Sequence, residues 1–228
     1  MIALYELAGA DGRRFSPYCW RTRLALAHKG APYKTIATRF SDIASIGDGT
    51  QKTVPVIEDG GRFIADSWAI ANYLEDQYPD RPSLFGGSAG QALASFVQSW
   101  VFDVVHRSII ELILHDIYVQ LDEGDKGYFR ATREKRFGRV LEEVQAGRAT
   151  RIADLRKVIQ PLRQVLGTQK WVGGDAPLYA DYIVFGAFQW PRVASRFPLL
   201  AGDDPISGWF ERCLDLFDGL GRSAPPSP

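Results

Sequence analysis

The sequence predicts a small α/β unit with a mixed sheet, followed by an all-helical domain. Three observations carry this. Strand and helix signals alternate up to Tyr78-Pro79, strand-like alternation is absent after residue 90, and a stretch rich in Pro, Gly and Ser joins the two regions. The expected boundaries are 1–80 for the α/β unit, 81–90 for the linker, 91–222 for the helical domain and 223–228 for a frayed tail.

The elements follow in order. Residues 2–7 alternate apolar and mixed side chains and stop at Gly9, Asp11 and Gly12, as a strand entering a polar turn does. Ser16-Pro17 starts a helix, because Ser can accept from exposed backbone N–H groups and Pro at the first helical position loses no needed donor. That helix is expected to place Tyr18, Leu24, Ala25 and Ala27 on its apolar side, with Arg21, Arg23 and Lys29 outside, and to end at Gly30. A second strand spans Tyr33 to Thr38, and a polar loop runs from Ser41 to Thr53. Val54-Pro55-Val56-Ile57-Glu58, the turn Asp59-Gly60-Gly61 and Arg62-Phe63-Ile64-Ala65 form a hairpin. Asp66-Ser67 then caps an amphipathic helix that closes at Tyr78-Pro79.

From Ser88 the apolar period changes to three or four residues. Phe96, Val97, Trp100, Val101, Val104, Val105, Ile109, Leu112 and Ile113 predict one long helix facing a core. Further helices are expected over about 129–145, 151–166, 181–194 and 206–216.

Composition narrows the function classes. The chain has 228 residues, enough for one large domain or two small ones, with 46% apolar, 24% charged and 12% aromatic residues, as in ordinary globular proteins. Lys and Arg total 27 against 27 Asp and Glu, and residues 1–82 carry ten of each sign, so no global field draws the chain to nucleic acid or to an anionic membrane. Cys19 and Cys213 are too few and too far apart for a disulfide framework, which suits a reducing compartment. The N-terminus lacks a basic leader, and the longest charge-free apolar stretch, near Tyr182 to Pro191, is far short of the roughly 18 residues of a membrane span. A cytoplasmic, soluble protein is expected. His28, His106 and His115 have no metal-ligand spacing, so no metal is expected, and no glycine-rich phosphate loop supports nucleotide chemistry.

Four local features carry candidate chemistry, and each has a plain structural alternative. Ser16 sits at a helix N-terminus, where free N–H groups and the helix dipole stabilise an anion such as a thiolate; alternatively it is only a cap. Val54-Pro55 precedes a strand, where a cis bond turns backbone groups toward an incoming chain, whereas a trans bond makes an ordinary edge strand. Asp66 and Ser67 suit the ammonium and carboxylate of an amino-acid-like ligand, or simply cap a helix. Trp100, Phe102 and His106 can line a pocket for an aromatic compound, or belong to the core. Cys19, three residues beyond Ser16, reads as a buried structural thiol, since a redox dithiol needs Cys where Ser16 stands.

Within 70 residues Ser-Pro-x-x, Val-Pro and Asp-Ser occur in the order of a thioredoxin-like glutathione site. The chain resembles the soluble glutathione transferase family throughout. Gly173-Gly174-Asp175-x-Pro177-x-x-Ala180-Asp181 is similar to that family's entry into a buried helix, with Leu178 where a capping Ser or Thr is usual. Phe15-Ser16-Pro17-Tyr18-Cys19-Trp20-Arg21-Thr22, Asp66-Ser67-Trp68-x-Ile70-Ala71-x-Tyr73-Leu74, Tyr78-Pro79-Asp80-Arg81-Pro82 and Phe217-Asp218-Gly219-Leu220-Gly221-Arg222 look most like the bacterial glutathione-dependent β-aryl etherases and their fungal relatives.

The resemblance implies a serine-type glutathione enzyme with glutathione as cosubstrate, in which Ser16 hydrogen-bonds the thiolate and Val54, with cis Pro55, pairs the cysteinyl backbone. It implies that Asp66 and Ser67 hold the γ-glutamyl end and that Lys52 or Gln51 meets the glycyl carboxylate. It further implies a homodimer and a small hydrophobic aromatic substrate against the helical domain, with cleavage of an aryl ether next to a ketone as one candidate reaction. A non-catalytic binding or assembly module of the same fold stays open. A thiol–disulfide or deglutathionylating enzyme needs Cys in place of Ser16.

Overall fold

The computed structural model describes residues 1–227; Pro228, the last residue of the expected tail, lies outside them. Strand β1 (Ile2–Leu7) lies centrally in a four-stranded sheet of order β2-β1-β3-β4. Helix α1 (Pro17–His28) carries the chain over to β2 (Tyr33–Thr38), which runs parallel to β1 with Ile2 opposite Tyr33. The hairpin β3 (Val56–Asp59) and β4 (Arg62–Ala65) is antiparallel, and β3 pairs with β1 with Leu4 opposite Ile57. Helix α2 (Ser67–Gln77) follows. This is a thioredoxin-like α/β domain, and the remainder is helical.

The long helix after the linker has three parts: α3 (Ser88–Trp100), a wide π-turn over Val101–Val105, and α4 (His106–Val119). The other helices are α5 (Glu123–Phe137), α6 (Leu141–Gln145), α7 (Arg148–Val158), α8 (Gln160–Leu166), α9 (Tyr179–Ala194) and α10 (Pro205–Gly219). Two expected single helices are thus divided. Gly138, left-handed at φ 67°, ends α5, and a break at Ile159 separates α7 from α8 ahead of Pro161.

Three sequence expectations are corrected. Arg21 and Lys29 are not outside: each is 1% exposed, because α1 packs against both the sheet and α9 and has little solvent face. Lys29 finds Glu75 at 3.2 Å and the Tyr78 carbonyl at 3.2 Å, and Arg23 lies 3.8 Å from the buried Glu6. Phe96, expected in the core, is 72% exposed. The tail is also not frayed over its described part. Ser227 N–H donates to the Arg192 carbonyl at 2.9 Å, Arg13 reaches the Pro226 carbonyl at 3.3 Å, and Ala224 is buried.

Helix α9 joins the two layers. Asp181 in its first turn is fully buried and accepts from Val172 N–H (2.8 Å), Gly173 N–H (2.8 Å), Leu178 N–H (3.1 Å) and Trp209 Nε1–H (2.9 Å). Only the Asp181 half of a capping box forms, since a Leu side chain has no acceptor for the return bond. Further along, Gly186 passes the start of α1 so closely that a Cβ there would lie 2.3 Å from the Pro17 carbonyl oxygen.

Candidate active site

Ser16 ends the loop after β1 and caps α1, with its Oγ accepting from Cys19 N–H at 3.4 Å. That bond uses one lone pair and leaves the hydroxyl proton free to donate. Pro17 at the first helical position keeps the helix start open, so the positive end of the dipole lies beside this hydroxyl. Ser16 borders a cleft of about 660 Å³ between the two domains. Cys19 points the other way. It is 2% exposed, Leu7 N–H donates to its sulfur at 3.5 Å, and burial pushes its thiol up to about 12.

The Val54-Pro55 bond is cis, and both residues line the cleft. Val54 precedes β3, and among the described residues neither its N–H nor its carbonyl has a backbone partner. Asp66 has φ 76° and caps α2, with Oδ1 accepting from Trp68 N–H (2.8 Å) and Ala69 N–H (3.1 Å). Its second oxygen has no hydrogen-bond donor among the described residues. Ser67 is buried beside it, its carbonyl held by the Tyr179 hydroxyl at 2.6 Å. Lys52, exposed, lies on the same rim, whereas Gln51 lies outside the lining. One face of the cleft therefore gathers Ser16, Lys52, Val54, Pro55, Asp66 and Ser67.

The opposite face comes from the helical domain. Phe102 and His106 line it, but Trp100 does not. Two residues along a helix turn a side chain about 200° away, so Trp100 packs at the edge of the core while Phe102, in the π-turn, is half exposed to the cleft. Phe129, Phe137 and Trp190 complete an aromatic wall. His106 is 7% exposed, with its ring edge-on to Tyr18 (5.4 Å) and Trp190 (5.6 Å) and its Nδ1 3.3 Å from the Tyr18 hydroxyl. Burial, with the Arg21 cation nearby, pulls its pKa down to about 3, so the ring is neutral.

Arg21 and Tyr18 also line the cleft, and sequence reasoning missed them. The Arg21 guanidinium stands 4.8 Å from the centre of the Tyr18 ring, and its only hydrogen bond among the described residues is to Gln98 at 3.4 Å. A signal was present: Arg21 is three residues from both Tyr18 and Leu24 and four from Ala25, on the stripe expected to be apolar.

Comparison with known proteins bears on this arrangement. Residues 12–82 match the family described as Glutathione S-transferase, N-terminal domain, and residues 92–197 that described as Glutathione S-transferase, C-terminal domain. A glutathione S-transferase-like protein of Aspergillus flavus is 27% identical over 215 residues, covering 82% of this chain and 78% of that protein. The crystal structure of a glutathione S-transferase of Ceriporiopsis subvermispora in complex with glutathione is 29% identical. It covers 98% of this chain and 94% of that one, with a TM-score of 0.76. A glutathione transferase of Phanerochaete chrysosporium is 27% identical, covering 97% and 93%, also with a TM-score of 0.76.

Proposed function

The chain belongs to the glutathione S-transferase family, and on that basis we propose that it activates the glutathione thiol for attack on a hydrophobic aromatic electrophile. The supporting observation is the free hydroxyl of Ser16 at the start of α1, on the same cleft face as Val54, Asp66 and Ser67. In this reading residues 1–80 bind glutathione and residues 91–222 supply the substrate wall, in a cytoplasmic homodimer.

Each residue has a part. Asp66 takes the γ-glutamyl ammonium through its uncommitted oxygen, and the Ser67 hydroxyl and backbone N–H take the carboxylate, since the next three N–H groups of α2 already donate to Asp66. Val54 offers its unpaired N–H and carbonyl to the cysteinyl backbone, and Lys52 the opposite charge for the glycyl carboxylate. Ser16 donates to the thiolate and, with the dipole of α1, draws the thiol below its free value of about 8.5. The bound thiolate forms a C–S bond while the leaving group departs with its electron pair; for an aryl ether beside a ketone, that group is a phenolate. Ser16 forms no covalent bond. The aromatic wall orients the electrophile and excludes water.

The test is ultraviolet titration of the bound thiolate against pH, with Ser16→Ala as control. The apparent thiol pKa is expected well below 8.5 in the native protein and close to the free value in the variant, with turnover lowered about 10- to 1,000-fold. An unshifted thiol in the native protein would instead favour a non-catalytic module. Release of phenolate from an aryl ether ketone separates etherase chemistry from other conjugations.

A further inference from the structure

The electrophile's side of the cleft has a charge as well as an aromatic wall. Arg107, Arg133 and Arg136 line it against a single carboxylate, Asp103, which Arg107 pairs at 3.3 Å. Among the described residues Arg133 and Arg136 have no carboxylate partner, nor does Arg21 at the floor. Arg133 is half-buried, its guanidinium carbon 4.6 Å from the centre of the Phe129 ring and 5.4 Å from that of Phe40. Arg136 stands 5.6 Å from the Phe137 ring, so both cations are edged by aromatic faces. Arg21 is 1% exposed, and its Nε and Nη2 have no acceptor among the described residues.

Unpaired guanidinium groups in a partly desolvated cleft are costly unless an anion arrives. Surface solubility does not explain Arg21, which is buried, or Arg133, which is half-buried and whose pKa burial and the neighbouring Arg136 lower; Arg136 itself is exposed and stands beside Arg133 on the lining. On the glutathione side Lys52 and Asp66 offset one another. Glutathione with an ionised thiol carries a net charge of about −2, from two carboxylates, one thiolate and one ammonium. Against the three unpaired arginines, about one positive charge then remains, and it lies where the second substrate sits.

We propose that the second substrate is an aromatic compound bearing a carboxylate, its ring against Phe129, Phe137 and Trp190 and its anionic oxygens toward Arg133 and Arg136, with Arg21 at the floor. This rests on the glutathione transferase reading of the cleft. A guanidinium presents paired N–H donors that match a carboxylate, so charge and shape select the same ligand.

The test compares naphthalene-2-carboxylate with the neutral, near-isosteric naphthalene-2-carboxamide by calorimetry on the full chain at low salt, with S-methylglutathione saturating. The carboxylate is expected to bind about tenfold tighter. Arg133→Gln, and separately the exposed Arg136→Gln, should each erase several-fold of that preference, weakening carboxylate binding more than carboxamide binding. Equal affinities would overturn the proposal, as would a preference untouched by both variants. So would loss of the preference on adding S-methylglutathione, since the anion would then have occupied the glutathione site. If S-methylglutathione does not bind, the proposed function fails; the carboxylate preference is then read on the ligand-free protein and judged by the same two variants.

Discussion

At Ser16 one atom serves two purposes, since its oxygen accepts the Cys19 N–H while its proton remains available. Capping and thiolate stabilisation, which compete as explanations of the sequence, are compatible in the structure. The same holds for Asp66, one oxygen of which caps α2 while the other has no donor among the described residues. His106 illustrates what burial alone does to a side chain. Its pKa falls to about 3 in the native state, against about 6.5 when unfolded. Between those values the unfolded chain binds a proton that the native chain does not, so this stability is full above about 6.5 and falls as pH drops toward 3. The loss between pH 7 and pH 4.5 attributable to His106 is expected at about 2–3 kcal/mol. In His106→Gln, urea midpoints measured at the two pH values should therefore differ less than in the native protein; an unchanged difference would show that the ring is not held neutral.

Among the elements, α1 and α9 set the position of the site. They come close together at Gly186, where no side chain fits against the Pro17 backbone one residue from Ser16. Gly186→Ala is expected to push α1 away, to cost about 1–3 kcal/mol in denaturant unfolding and to weaken the shift of the bound thiol. An alanine variant with native stability and a native thiol pKa would mean that the contact is not a constraint. The element sequence of the α/β domain was legible because its starts and stops are local. Ser16-Pro17, Gly60-Gly61 and Asp66-Ser67 act over two to four residues, and the structure uses each as a cap or turn. The divided helices were less legible, since apolar spacing continues across Gly138 and Ile159 although the backbone does not. The π-turn at Val101–Val105 is similar: one wider turn inside a helical pattern leaves no mark in periodicity, yet it presents Phe102 to the cleft.

For the molecule as a whole, distant segments hold the two domains and the end of the chain together. Arg13, in the loop before α1, bonds the carbonyls of Val193 (3.2 Å) and Pro226 (3.3 Å), and Gln120 at the end of α4 bonds the Ala194 carbonyl (2.6 Å) and Ser227 Oγ (3.0 Å). Ending the chain after Ser223 removes two of these contacts, those to Pro226 and Ser227, together with the Arg192 bonds to Ala224 (2.8 Å) and Ser227 (2.9 Å). That truncation is expected to cost about 1–3 kcal/mol, measured as a lowered denaturant midpoint, with glutathione binding retained because no described tail residue lines the cleft. An unaltered midpoint would return the tail to the frayed segment that its composition suggests.

The division between sequence and tertiary structure follows the range of the forces involved. Caps, turns, the change of apolar period and the buried character of Cys19 depend on neighbours within about one helical turn, and all were apparent from residue order. The family resemblance added the joint meaning of Ser16, Val54 and Asp66, which no one of those motifs carries alone. The cleft floor could not be obtained that way. Arg21 is buried because α9 covers the second face of α1, His106 is neutral because Trp190 and Tyr18 exclude water from it, and Arg133 faces the cleft because α5 packs beside Phe40. Burial and field at a side chain depend on everything that packs around it, and those neighbours come from segments up to about 170 residues apart, so only the folded chain decides the charge that the second substrate meets.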